Sequence, residues 1–206
     1  FECPNLEFHF IKLPKWQRKL SEIKFGYYMH YFLWQHRAYL YAKNKFEKVD
    51  IVHHVTWGSL TGGSELWKLG KPIVWGPIGG GQIAPRELIS YFEDYKKFEI
   101  LRTLLTKNMQ IFFPKTVQTV RHSELILVSN QETFSKVKVM GAKSIIISSD
   151  TSLPTNFIPS EIPSHAQKTI LKILWVGRIH PRKGLNLVLS ALKRVEIAFL
   201  LSIVGD

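Results

Sequence analysis

The sequence predicts an α/β fold of two Rossmann-like domains, the second ending after its first strand–helix–strand unit. Short apolar runs, typical of buried parallel strands, alternate with helical stretches through most of the 206 residues. A segment at 151–167, rich in proline, serine and threonine, shows no periodicity and separates the two domains. We therefore assign 1–150 to a first domain with its start missing, 151–167 to a linker and 168–206 to the beginning of a second domain.

The first domain opens with a predicted strand at Leu6–Leu13, where apolar and polar residues alternate between two prolines. A long helix is expected at 21–45, with Ser21 as its N-cap. An aromatic stripe along this helix is either a face packed on the core or, because basic residues flank it, a face for a membrane surface. The stripe consists of Phe25, Tyr27, Met29, Tyr31, Phe32, Trp34, Ala38 and Tyr41.

Buried strands and helices alternate in the rest of the first domain. The strands are predicted at Asp50–Thr56, Ile73–Ile78, Leu125–Ser129 and Ser144–Ser148. Helices are predicted at Ser64–Leu69, within 86–122 and at Gln131–Met140. Pro114 divides the middle helical stretch into at least two helices, and Gly141 suits a C-cap.

The second domain begins with a strand, a basic loop, a helix and a second strand. These are Leu171–Val176, Gly177–Gly184, Leu185–Val195 and Ala198–Val204. Ligands of open parallel sheets bind beyond the carboxyl ends of the strands, where this loop lies. It offers Arg178, Arg182 and Lys183 just before a helix N-terminus, whose N–H groups and dipole attract phosphate. The loop suits a nucleotide diphosphate, and the alternative is a solvated basic surface.

Two other loops follow strands of the first domain. Gly79, Gly80 and Gly81 either let a ligand approach the backbone or form a tight turn, and their spacing matches neither a Walker A loop nor GxGxxG. His53 and His54 end an earlier strand, and at most one of them can face a given cleft. That histidine is either a structural residue or a hydrogen-bond partner for a sugar hydroxyl or the transferring centre. A metal-binding role is not expected, because no further metal ligands stand at suitable spacing.

Composition limits the classes of partner. The net charge of +12 fits nucleic acid, an anionic membrane surface or a phosphate-bearing substrate, but the basic residues are not gathered into one stripe as in many nucleic-acid binders. The single cysteine, Cys3, excludes an internal disulfide and fits a reducing cytoplasmic compartment. No apolar run approaches the roughly 18 residues of a membrane-spanning helix.

Four segments resemble family 4 retaining glycosyltransferases of the GT-B fold, above all bacterial enzymes of cell-surface polysaccharide assembly. They are IVHHVTWGSL, LWKLGKPIVWGPIGGG, ILWVGRIHPRKGLNLVLSAL and LSIVGD. The resemblance implies two facing Rossmann-like domains and transfer of a sugar from a nucleotide-diphosphate donor to a hydroxyl of a glycan or lipid-linked acceptor, with retention. It further implies no separate cofactor, no metal, no nucleic-acid partner, and a cytoplasmic enzyme that can contact the inner face of an anionic membrane.

The resemblance also implies roles for individual residues. Arg178 and Lys183, next to Gly177, would bind the donor diphosphate and stabilise the leaving group. The glycines of the first domain would lie beside the donor or acceptor, namely Gly79, Gly80 and Gly81.

His54, rather than the adjacent His53, is favoured as the active-site histidine, although the family usually has one residue between two histidines. The family's Glu-containing motif is expected beyond Asp206 and its first strand before Phe1, so the 206 residues alone are expected to lack turnover. Two alternatives remain: a basic nucleic-acid-binding module, and a non-catalytic α/β scaffold that binds a membrane or a partner through the helix at 21–45.

Overall fold

The structure, a computed structural model, describes residues 4–23, 26–161 and 170–206. The chain forms two compact units: unit 1 comprises Phe1–Gln82 with Asn108–Thr151, and unit 2 comprises Ile83–Lys107 with Ser152–Asp206. The unit that contains the predicted second domain thus also takes in residues 83–107, which the sequence analysis assigned to the first. The predicted linker continues past the described residues, and its described part contains one 3-10 turn at Thr155–Phe157.

Unit 1 is built on a four-stranded parallel sheet, which confirms the α/β class and is consistent with a Rossmann-like fold. Its strands pair in the order in which they occur along the chain. They are β1 (Val52–His54), β2 (Ile73–Ile78), β3 (Leu125–Val128) and β4 (Ile145–Ile147). Each described strand pairs with the next one along the chain, so this part of the sheet has no point at which the strand order reverses.

The core of unit 1 lies on one face of this sheet. Trp75 and Ile78 of β2 and Ile126 and Val128 of β3 are almost fully buried. Residues from the surrounding loops and helices pack against them, namely Leu60, Met109, Val120, Val137 and Met140. Because burial of one such side chain contributes about 1.5–3 kcal/mol, this cluster explains why the apolar runs form strands here.

The α-helices match the predicted ones except at Lys15–Leu20, which was not predicted, and at Ser64–Leu69, where the structure has a 3-10 helix at Leu66–Leu69. They are α1 (Lys15–Leu20), α2 (Gly26–Lys45), α3 (Lys96–Lys107), α4 (Met109–Phe112), α5 (Pro114–His122), α6 (Gln131–Val139) and α7 (Leu185–Leu192). As predicted, Pro114 interrupts the long helical stretch; it stands at the start of α5, where its missing N–H has no helical partner to lose. Gly141 ends α6 with a φ of 94°. None of the helices in the described residues is long and apolar enough to cross a membrane.

Two predictions for the N-terminal segment are wrong. Leu6–Leu13 is not a strand, because no strand of the described chain lies beside it to complete the hydrogen bonding. His9 instead packs on α2, with its Nδ1 3.0 Å from the hydroxyl of Tyr41. Ser21 is not an N-cap but follows the end of α1, and its hydroxyl donates to the carbonyl of Arg18 at 2.6 Å. The long helix begins five residues later, and the predicted stripe residue Phe25 lies outside the described residues.

Unit 2 contains the predicted strand–helix–strand motif. Strands β5 (Leu171–Val176) and β6 (Phe199–Val204) pair in parallel, and α7 connects them. A 3-10 helix at Arg86–Tyr95 leads directly into α3. Glu93, near their junction, has a φ of 47° and is the one non-glycine residue of the described chain with a positive φ, a conformation that is strained for a residue with a long side chain.

Candidate functional site

The loops that follow β1, β2 and β3 are joined at the carboxyl edge of the unit 1 sheet. The N–H of Gly79 donates to the carbonyl of Gly58 at 2.9 Å, and the N–H of Leu60 donates back to the carbonyl of Gly79 at 2.8 Å. The N–H of Ser129, directly after β3, donates to the carbonyl of Ile78 at 2.9 Å. These bonds hold the edge in one backbone arrangement before any ligand binds.

The predicted glycine loop lies at this edge, and each of its N–H groups already has an acceptor. The N–H of Gly80 donates to Oε1 of Gln82 at 3.1 Å, and that of Gly81 donates to Oγ1 of Thr133 at 3.1 Å. Gln82 is exposed, whereas Thr133 is buried. A ligand can therefore replace the acceptor of Gly80 without disturbing a buried contact, which is not true of Gly81.

Close packing requires glycine at position 81. A Cβ there would lie 2.7 Å from the backbone N and Cα of Thr133, at the start of α6. Gly80 has a φ of 97°, which other residues rarely adopt. The glycines that the sequence suggested for ligand approach thus also shape the fold.

Asn130 links this loop to α6 and was missed by the sequence analysis. Its Oδ1 accepts hydrogen bonds from the backbone N of Thr133 at 2.9 Å and from Oγ1 of the same residue at 2.8 Å. The hydroxyl of Thr133 in turn accepts from the N–H of Gly81. An asparagine immediately before a helical stretch is a common N-cap signal, so the sequence did contain the information to find it.

His54 is buried and faces α2 rather than solvent. It is 4% exposed, and its Nε2 lies 2.9 Å from Nε2 of Gln35. An amide NH₂ can only donate, so Nε2 of His54 accepts and the proton of the neutral ring resides on Nδ1. That Nδ1 is buried and meets no hydrogen-bond partner in the part of the chain that the structure describes. Burial, reinforced by the charge of His53, lowers the pKa of His54 to about 4, so the imidazole is neutral at pH 7.

His53 points to the other side of the strand, as the alternation of strand side chains predicts. Its ring is exposed, and its Nε2 donates to the carbonyl of Gly76 in β2 at 3.0 Å. The two histidines therefore have different surroundings, one solvent-facing and one buried under α2.

An aromatic pocket of about 310 Å³ lies beside the end of β1 in unit 1. Tyr27, Tyr31, Trp34 and Trp57 contribute most of its lining. The Tyr31 hydroxyl donates to the carbonyl of Thr56 at 3.3 Å, and burial raises the pKa of this phenol. Of the predicted aromatic stripe on α2, Tyr31 is thus buried, whereas the side chain of Tyr27 is half exposed.

The basic loop of unit 2 lies where it was predicted, between β5 and α7. Pro181–Lys183 form a single 3-10 turn, and Gly184, with a φ of 71°, directly precedes α7. Nδ1 of His180 accepts from the N–H of Arg182 at 3.2 Å and so caps the turn. Gly177 continues the pairing of the two strands, because its N–H donates to the last residue of β6 at 3.0 Å.

Arg178 and Lys183 are both exposed in this loop. Within the described residues, neither side chain has a hydrogen-bond or ion-pair partner. Gly184 offers no side chain to cap α7, and no side-chain cap bond forms there among the residues that the structure describes. Two cations and a helix N-terminus in one loop favour an anionic ligand.

The structure adds an acidic wall beside the loop that the sequence analysis missed. A pocket of about 220 Å³ is lined by Glu93, Asp94 and Tyr95 together with His180 and Asn186. Nδ2 of Asn186 donates to Oε1 of Glu93 at 2.8 Å, and the rings of Tyr95 and His180 lie 5.2 Å apart. No local sequence pattern predicts the contact between Asn186 and Glu93, because 93 residues separate them in the chain.

No group of three or more His, Cys, Asp or Glu residues in the described ranges is arranged to hold a metal ion. Comparison of the chain with models of protein families, with curated proteins and with solved structures found no match. The function is therefore inferred from the residues of the two candidate sites and from the resemblance of their motifs.

Proposed function

We propose that this chain belongs to a glycosyltransferase of the two-domain GT-B kind, which transfers a sugar from a nucleotide-diphosphate donor to a hydroxyl acceptor with retention. The observation that supports it most is the unit 2 loop, in which Arg178 and Lys183 are exposed beside a helix start without a side-chain cap. A forked guanidinium and an ammonium suit the two phosphates of such a donor. Gly177, which continues the strand pairing through its N–H, leads into this loop.

The loop would act on the leaving group. During transfer the bond between the anomeric carbon and the diphosphate breaks, a bond to the acceptor oxygen forms, and the acceptor proton passes to the departing phosphate. Negative charge grows on that phosphate, and cations held in place before the reaction stabilise it. Arg178 and Lys183 would supply this charge. Retention and a hexose-type donor rest on the resemblance of the motifs.

The unit 1 edge would bind the other reactant or the donor sugar. Gly80 supports this role, because its N–H can exchange an exposed side-chain acceptor for a ligand. His54 would act as a neutral, buried group that orients α2 and the end of β1, since its low pKa leaves it uncharged at pH 7. The proposal includes a glycan or lipid-linked acceptor and a cytoplasmic location at the inner membrane face. The single cysteine, Cys3, fits the reducing compartment that this location implies.

Calorimetric titration with UDP, GDP and ADP and with their sugar conjugates tests the donor site. Replacement of both Arg178 and Lys183 by alanine removes two charge-assisted contacts and should weaken binding by about 100-fold or more. The matched control is Lys193→Ala with Arg194→Ala, which removes the same two charges from exposed positions of the same unit. Equal losses in both double variants, or no binding by the wild-type chain, would contradict the proposal.

The nucleic-acid alternative is tested by filter binding with a salt titration. A phosphate-backbone binder loses affinity steeply as salt increases. Retention of nucleic acid that falls in this way, together with no response to nucleoside diphosphates, would favour that alternative over sugar transfer.

A further inference from the structure

Helix α3 of unit 2 turns polar residues inward and apolar residues outward. Glu99 and Thr106 are only 4% and 5% exposed, whereas Ile100, Leu101 and Leu104 are 48%, 51% and 52% exposed. A surface helix of a globular protein normally has the opposite arrangement. The outward apolar face therefore calls for a physical explanation.

The inward polar side is stable because its charge is paired. Both carboxylate oxygens of Glu99 accept from Nε of Arg102, at 3.0 and 2.9 Å. Pairing and hydrogen bonding offset the cost of burying a carboxylate. Because Arg102 lies on the same helix, this pair lowers the cost of burying Glu99 but does not itself fix the rotation of α3.

Lysines share the outward side with the apolar residues. At 100° per residue, six side chains fall within an arc of about 140°. They are Lys96, Lys97, Ile100, Leu101, Leu104 and Lys107. Apart from the buried Glu99, the nearest carboxylates in the sequence belong to Glu93 and Asp94, and both line the pocket beside the basic loop. The outward face is consequently cationic as well as apolar.

We propose that this face of α3 binds the surface of an anionic lipid bilayer. Apolar side chains on such a helix enter the boundary between headgroups and acyl chains, while lysines contact lipid phosphates. The two kinds of residue are interleaved on α3, and the net charge of +12 attracts the chain to the same surface. A nucleic acid would engage the lysines but would leave Ile100 and Leu101 in water. The binding does not depend on the proposed sugar transfer.

Vesicle flotation of the 206-residue chain tests this docking. Vesicles of phosphatidylcholine and phosphatidylglycerol in a roughly 7:3 ratio should carry the chain upward, and added salt should release it, as expected for lysines near an anionic surface. Vesicles of phosphatidylcholine alone should carry much less. Equal flotation with both kinds of vesicle, or none with either, would overturn the proposal.

A matched pair of variants locates the binding face. Lys97→Gln with Ile100→Gln removes one exposed lysine and one exposed apolar side chain from α3 and should weaken partition by about tenfold or more. Lys138→Gln with Val139→Gln makes the same kind of change on α6, where Val139 is 74% exposed, and should leave partition within about twofold.

Lys96→Glu with Lys97→Glu, a second α3 variant, alters surface charge alone and should abolish the salt-sensitive part of the binding. Circular dichroism confirms that each variant is folded. Equal binding by the α3 and α6 variants would overturn the assignment of the face.

Discussion

Units 1 and 2 contain strands of similar composition but bury them to different degrees. Ile73 and Trp75 of β2 are at most 1% exposed, whereas Leu174 and Val176 of β5 are 64% and 68% exposed. Both runs are apolar enough to predict a buried parallel strand. Composition thus predicts that a segment forms a strand, but the burial of that strand depends on the helices and loops that cover it. In unit 2, the described residues leave much of β5 exposed.

The two candidate sites differ in the same way. The unit 1 edge is fixed by backbone hydrogen bonds and by close contacts with α6, whereas the unit 2 loop presents exposed charges. We therefore expect substitutions at the unit 1 edge to change the free energy of unfolding, and substitutions around the unit 2 loop to change ligand affinity.

The largest expected effect is that of Gly81→Ala. The added methyl group would meet the backbone of Thr133 at 2.7 Å, so we expect the free energy of unfolding to fall by about 3–4 kcal/mol. Gly58→Ala is the control, because the nearest atom to its Cβ is the carbonyl oxygen of Pro77 at 3.6 Å. Urea denaturation of the two variants measures the difference, and similar stabilities would show that the edge is not closely packed.

His54 should make unit 1 sensitive to acid. Its pKa of about 4 in the folded protein lies below the ordinary 6.5, so the unfolded chain binds a proton first as the pH falls. The stability that His54 contributes is complete above pH 6.5 and is lost towards pH 4, by about 2–3 kcal/mol.

Two measurements test this pH dependence of His54. The difference in unfolding free energy between wild type and His54→Phe should shrink over the range from pH 6.5 to pH 4. In an NMR titration, the ring signals of His54 should move near pH 4, and movement near pH 6.5 would disprove its burial in solution.

Glu65 should contribute a smaller amount that is lost at lower pH. Burial alone would raise the pKa of this carboxyl, but hydrogen bonds from Lys115, His36 and Lys68 outweigh it and lower the pKa to about 2. The resulting stability is present above pH 4.5 and disappears as the pH falls through 2. Because the partners are partly exposed, we expect Glu65→Gln to cost about 2 kcal/mol at pH 7.

Glu124→Gln is the control for this prediction, since it breaks the exposed pair with Lys143 and should cost about 0.5 kcal/mol or less. Thermal unfolding of both variants at pH 7 gives the comparison. Equal losses would mean that the Glu65 cluster is no stronger than a surface ion pair.

The smallest expected effect concerns the acidic wall of unit 2. Glu93→Gln keeps an oxygen for Asn186 but removes a negative charge beside the loop, so affinity for a nucleoside diphosphate should rise by about threefold. Glu87→Gln, at the start of the same 3-10 helix, should change it little. Calorimetry decides, and weaker binding by the Glu93 variant would show that this carboxylate helps to hold the ligand.

The sequence predicted those parts of the fold that depend on local pattern. The bounds of β2 and β5 match the prediction. Pro72 and Gly79 flank β2, and Gly177 follows β5. Leu6–Leu13 shows what an alternating pattern of apolar and polar residues cannot predict. The pattern indicates a segment with one apolar and one polar side, but a strand also needs a neighbouring strand to pair with. The basic loop could be predicted because its basic residues and glycines lie close together in the sequence, within 177–184.

Long-range contacts set the limit for the candidate sites. Gln35 cannot be assigned to His54, nor Glu93 to Asn186, from spacing, since each pair meets only through the packing of separate elements. The burial of Glu99 likewise depends on which side of α3 faces the protein. Only Asn130 could have been added from the sequence, through its position as an N-cap.

NMR titration of the chain with pyrophosphate tests the role of the unit 2 loop most directly. We expect the amide signals of 177–187 to shift in a saturable way, and the shifts to vanish when Arg178 and Lys183 are both replaced by alanine. Saturable shifts confined to other parts of the chain, or shifts of the loop that persist in the double variant, would contradict a diphosphate site built on these two cations.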